Sequence, residues 1–178
     1  MNTISEEYRE EQVRLHQNPD YGMASIGLAP FVAEIIRHMS PKTVTDYGAG
    51  KCHLLKKLKS LHVVDFSYQP YDPAFPEYGE ARAADLVCCI DVLEHIEPNL
   101  LDNVLSDLAR LTRKIGFFSI HTGPAKKHLS DGRNAHLIQK PSSWWLPKLE
   151  SFFEIGHVEQ LEAIGKGFTV VVGPKASS

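Results

Sequence analysis

The chain has 178 residues, 43% apolar and 23% charged, with a formal net charge of −3. That is the length of one domain able to bury its own core, and the composition excludes intrinsic disorder, collagen-like repeats and a disulfide scaffold. The near-neutral charge gives no electrostatic footprint for bulk nucleic acid or an anionic membrane, and no apolar run approaches the ~18 residues of a membrane span.

Residues 1–20 form a polar lead-in, in which Ser5 to Glu11 can make a short exposed helix. The remainder, 21–178, reads as one domain. Ile26, Phe31, Ile35 and Ile36 recur near helical spacing up to Pro41. Thr43-Val44-Thr45-Asp46 is a short β-prone run that stops at Gly48-Ala49-Gly50, and Leu54, Leu55 and Leu58 then face a helix. For the next strand two segments compete, His62 to Phe66 and Ser67 to Tyr71, before Asp72-Pro73 breaks the run. Leu86 to Ile90 is continuously apolar, as a strand buried on both faces must be. Leu100, Leu101, Val104, Leu105, Leu108 and Leu111 define an amphipathic helix, and Ile115 to Ile120 the strand after it. Residues 121–148 change character, carrying histidines, basic residues and the pair Trp144-Trp145 among Gly and Pro; Phe152–Ile155 and Phe168–Val172 supply two final strands. Strands alternating with helices predict an α/β fold, Rossmann-like and doubly wound, with a mostly parallel sheet and helices on both faces.

Of the three cysteines, Cys88 and Cys89 sit in the apolar run, as buried free thiols of a reducing compartment do. The acidic, polar start does not read as a signal peptide. A cytoplasmic protein is the expectation.

The chemistry concentrates at strand ends. Val44-Thr45-Asp46-Tyr47-Gly48-Ala49-Gly50 closes a strand and opens a helix, the place where an open α/β sheet binds its ligand and where glycine lets backbone approach closely. Asp72 lies 22 residues beyond Gly50, at a position where a carboxylate accepts both hydroxyls of a ribose. A third element is Asp85-Leu86-Val87-Cys88-Cys89-Ile90-Asp91-Val92-Leu93-Glu94-His95-Ile96.

Taken in order and spacing, these three elements resemble the class I S-adenosylmethionine-dependent methyltransferases over residues 43–120. Val44 to Gly50 matches that family's first motif, and Asp85 to Ile96 its D-x-V-x-x-x-D-V-L-E-H-I motif. The resemblance implies S-adenosylmethionine as cofactor. Asp46, Gly48, Ala49 and Gly50 would line its methionine moiety, Asp72 and Pro73 its ribose side, and Asp91 and Val92 the methyl and adenosine. Two departures stand out: Cys52 replaces the third glycine, and only 12 residues separate Asp72 from Asp85, so the third-strand region is reduced.

Methyl transfer to a hydroxyl or amine needs positioning and removal of a proton. The candidate bases are His95, His121, His128 and His136, with His136 preferred because Leu129 to His136 forms a polar, glycine-hinged acceptor loop. Arg133, Asn134 and Trp144 are the expected substrate contacts. The expected activity is methyl transfer to an oxygen or nitrogen of a small-molecule acceptor, recognised by segment 121–148, by the lead-in or by a partner chain; a homo-oligomer stays open. Two alternatives accompany it. One is a non-catalytic module binding S-adenosylmethionine or another nucleoside. The other is a metal-assisted RNA 2′-O-methyltransferase, because Asp91-x-x-Glu94-His95 with a later His136 resembles in part the E-x-x-E-H site of small-RNA methyltransferases. The primary reading has no metal.

Overall fold

A strand that is apolar on both faces belongs in the middle of a sheet covered on each side. In the computed structural model, which describes residues 2–161 and 166–176, Ala84–Ile90 is buried along its whole length. Numbered in chain order it is β3. It lies parallel between β1 (Thr43–Tyr47) and β4 (Thr112–His121), and β2 (Ser67–Tyr71) pairs parallel with β1. On the other side β6 (Gly167–Pro174) runs antiparallel to β4, and β5 (Phe153–Gln160) antiparallel to β6. The six-stranded mixed sheet therefore has the order β2-β1-β3-β4-β6-β5.

Alternation along β3 divides the core in two. Leu86, Cys88 and Ile90 pack with α2 (Ala24–Met39) and α3 (His53–Ser60), while Val87 and Cys89 pack with α4 (Leu101–Leu111) and α5 (Ser142–Glu150). On α4, Leu101, Val104, Leu105, Leu108 and Leu111 make one fully buried stripe. The helix passes into β4 without a loop. The Thr112 hydroxyl donates to the Leu108 carbonyl at 2.8 Å, which satisfies one of the orphan acceptors at the helix end.

Three expectations are sharpened. Of the two candidates for the second strand, Ser67–Tyr71 is the strand, because it pairs in register with all five residues of β1. The short stretch after Asp72 contains a 3-10 turn at Pro76–Tyr78 and no strand, which leaves β2 as the rim of the sheet. The lead-in helix is longer than expected and is not simply exposed: α1 runs Glu6–His16, with Tyr8 only 4% exposed. Ser5 caps it by accepting from the Tyr8 N–H, and Glu6 and Glu7 complement the positive end of its dipole. No helix among the described residues is long and apolar enough to cross a membrane.

Candidate functional site

The turn after β1 is held to the end of β2 by backbone. The N–H groups of Gly48 and Ala49 donate to the Tyr71 carbonyl at 2.8 and 2.9 Å. Gly50 N–H donates to Asp72 Oδ2 at 2.9 Å and Ala74 N–H to Asp72 Oδ1 at 2.8 Å, so both carboxylate oxygens are oriented before any ligand arrives. Gly48 is required twice over. Its φ is +81°, and a Cβ there would come within 2.3 Å of Val92 Cγ2. A Cβ on Gly50 would come within 2.8 Å of His16 Cε1, so the room this glycine leaves is filled by α1. Cys52, standing where a third glycine was expected, itself adopts the left-handed conformation glycine favours, at φ +55°.

Above this turn lies a cavity of about 540 Å³, within the ~300–1,000 Å³ typical of small-molecule sites. It opens at the carboxyl ends of the parallel strands, the ligand edge of such sheets. The turn contributes Asp46, Gly48, Ala49 and Gly50; the end of β2 gives Asp72 and Pro73; Asp91 and Val92 follow β3. His95, His121 and His136 line the same space, and α1 with its following loop closes it with Tyr8, Gln12, His16 and Tyr21. Asp91 takes φ +59°, a strained backbone for an aspartate and one often tolerated at functional positions.

Burial shifts the ionisable groups. Asp46 is pushed up to about 7 by burial, against the lowering effect of the Tyr68 hydroxyl that donates to it, with the Asp72 charge adding to the rise. Glu94, fully buried beneath the histidines, is held well above the usual carboxylate range by burial and then by Asp91. Its Oε1 accepts from the His121 N–H, and its Oε2 has no partner. Burial lowers His95 to about 4 and also lowers His136.

Gly123 meets two of the histidines. His136 Nδ1 lies 2.7 Å from the Gly123 carbonyl and donates to it, which leaves Nε2 as a free base. His121 Nδ1 lies 3.1 Å from the Gly123 N–H nitrogen and 3.2 Å from the Gly123 carbonyl oxygen, accepting from the one or donating to the other according to its tautomer. The ring centroids of His136 are 4.7 Å from His95 and 4.8 Å from His121.

The expected substrate contacts are placed differently. Arg133 is exposed and pairs with Asp131. Trp144 stands half-exposed on α5, edge-on to the fully buried Trp145, and does not line the cavity. Asn134 also lies outside the lining, but it shapes it. Its amide donates to Ala125 O and accepts from Ala125 N–H, both at 2.9 Å, and it accepts from His136 N–H at 3.0 Å. His128 is exposed and bridges to Asn134. The lead-in is one of the segments expected to meet the acceptor, but its individual residues Tyr8, Gln12 and His16 are not anticipated; their only local signal is the i, i+4, i+8 spacing.

No family model matches the sequence, and no curated protein does. Solved structures do. The 1,6-didemethyltoxoflavin-N1-methyltransferase of Burkholderia thailandensis, with its substrate and S-adenosylhomocysteine bound, superposes with a TM-score of 0.65 at 16% identity, over 99% of this chain and 92% of that one. The magnesium protoporphyrin IX methyltransferase of Synechocystis PCC 6803, also with S-adenosylhomocysteine, gives 0.56 at 13% identity, covering 96% and 95%. The methyltransferase domain of bacterial CtHen1-C gives 0.56 at 15% identity, covering 86% and 100%. Overlap this complete establishes the architecture: the chain has the Rossmann-like fold of the class I S-adenosylmethionine-dependent methyltransferases.

Proposed function

We propose that the protein transfers a methyl group from S-adenosylmethionine to an oxygen or nitrogen of a small-molecule acceptor. The observation that carries this reading is the convergence, in one cavity, of the glycine turn, the pre-oriented Asp72 carboxylate and the free Nε2 of His136. The residues fit the cofactor. Asp46, Asp72 and Asp91 place three carboxyl groups around a space that would receive a cationic ligand, and the volume accommodates a nucleoside and a second small molecule. When bound, the cofactor supplies a methyl already activated by its sulfonium.

The chain supplies the rest. Asp72 accepts the ribose hydroxyls, Asp46 and the turn border the methionine end, and Asp91 and Val92 border the methyl. His136 accepts the proton of the attacking hydroxyl or amine at Nε2 while Gly123 holds its Nδ1–H, with the His121 ring beside it. Calorimetric titration with S-adenosylhomocysteine tests the reading; well-folded protein that binds none would refute it. His136→Ala is expected to lower turnover by about 10²–10⁴-fold with little change in cofactor affinity; unaltered turnover removes His136 from the mechanism.

One observation favours a second, metal-assisted reading. Asp91, His95 and His136 each offer a ligand atom, all within 4.8 Å of one another. A carboxylate with two imidazoles suits manganese or a similar divalent ion, which would hold an acceptor oxygen directly. Titrating the metal-free protein with Mn²⁺, followed by electron paramagnetic resonance, tests it: no site-bound signal rules this reading out.

A further inference from the structure

A helix at the edge of a domain usually turns polar residues outward. The inner face of α1 does not. Tyr8, Gln12 and His16, spaced one turn apart, all line the cavity. The helix is anchored along its length. Tyr8 Oη donates to the His95 carbonyl at 2.7 Å, Ser5 N–H to Glu97 at 2.8 Å, and the Ser130 hydroxyl and N–H both reach Glu11. The loop after it is fixed by Lys51, whose ammonium donates to the Asn18 carbonyl at 2.6 Å.

Two side chains of this stripe have hydrogen-bonding capacity left over. Gln12 Oε1 accepts from Tyr21 Oη at 3.1 Å, yet its Nε2 is buried without a partner. His16 Nδ1 is likewise buried and unpartnered. Neither atom opens onto the cavity, so the ring nitrogen of His16 left to meet a ligand is Nε2.

The position of His16 says which part of the ligand. Its Nε2 stands 3.9 Å from Asp72 Oδ2, too far for a hydrogen bond and near enough for both groups to reach one hydroxyl. Edge-on contacts fix the ring, with centroids 5.0 Å from Phe75 and 4.9 Å from Tyr21, and Gly50 beneath it. Burial, reinforced by Lys51 and His95, lowers His16 to about 4. At neutral pH it is therefore an uncharged imidazole beside Asp72 and no salt-bridge partner. No strand forms between Asp72 and β3, and His16, at the end of α1, packs there against Phe75.

Resting on the proposed cofactor, we infer that α1 is part of the nucleoside site and that His16 and Asp72 together hold the ribose hydroxyls. The test is calorimetric binding of S-adenosylhomocysteine and of its 2′,3′-dideoxy analogue to wild type, His16→Phe and His16→Gln. Phenylalanine keeps the aromatic packing and removes both nitrogens; glutamine returns a hydrogen-bonding amide. The expected result is about a tenfold loss of S-adenosylhomocysteine affinity in His16→Phe, part recovery in His16→Gln, and no difference among the three proteins towards the dideoxy analogue. Equal affinity of wild type and His16→Phe for S-adenosylhomocysteine overturns the inference, as does a loss that persists undiminished with the analogue. Wild type that binds no S-adenosylhomocysteine overturns the cofactor reading itself, which separates the two failures. Thermal unfolding without ligand confirms that both variants are folded.

Discussion

The two walls of the cavity are built by opposite means. The floor, formed where β1, β2 and β3 end, is held by backbone: N–H groups of neighbouring turns close onto the Tyr71 carbonyl and the Asp72 carboxylate. The roof, formed by α1 and the loop carrying His136, is held by side chains that reach across the sequence. Tyr8 meets His95 87 positions away, and Glu11 meets Ser130 119 positions away. A floor made of local backbone has few ways to deform. A roof made of single long-range contacts can be loosened one contact at a time.

That contrast can be tested from the strongest effect downward. Gly48→Ala attacks the floor, where a left-handed backbone meets the Val92 side chain. We expect about 3 kcal/mol or more of lost stability in urea unfolding, together with loss of cofactor binding. A variant as stable as wild type would show that the floor is softer than described.

Next comes Asp46, whose carboxyl is raised to about 7 in the folded protein. The folded state then binds the extra proton and the unfolded state does not, so this group's contribution to stability is complete below pH ~4 and is lost as pH rises to about 7. Asp46→Asn is expected to flatten that part of the stability–pH curve, measured by denaturant midpoint at each pH. An unchanged curve would mean that Asp46 ionises normally.

The smallest effect is expected at the roof. Tyr8→Phe removes one buried hydrogen bond and should cost about 1 kcal/mol. Limited proteolysis after α1, near Asn18-Pro19, should accelerate while the sheet stays protected. Global unfolding of the variant would mean that roof and floor form a single cooperative unit.

The same division decided what was legible in the sequence. Local pattern made much of the floor readable: the apolar run of β3, the leucine stripe of α4, the glycine turn, and a reduced third-strand region after Asp72. The register of β2 was harder, because His62 to Phe66 is as apolar as Ser67 to Tyr71 and only pairing with β1 separates them. The roof was largely illegible. Tyr8, Gln12 and His16 have the composition of a solvated face, and their burial arises from contacts outside α1, Tyr8 with His95, Gln12 with Tyr21 and His16 with Tyr21 and Phe75. Arg133 and Asn134 are neighbours with the same loop-like surroundings, yet one meets solvent and the other braces Ala125 and His136. Nothing local distinguishes them.

The omission after Asp72 has one more consequence. Ending the sheet at β2 exposes a strand rim to which another chain could add, a hazard for any protein kept at high concentration. This rim is only five residues long, and its fourth residue, Pro70, has no N–H to donate. A stack of such molecules would gain few bonds per contact. The shortened sheet thus carries its own safeguard against growing into an aggregate.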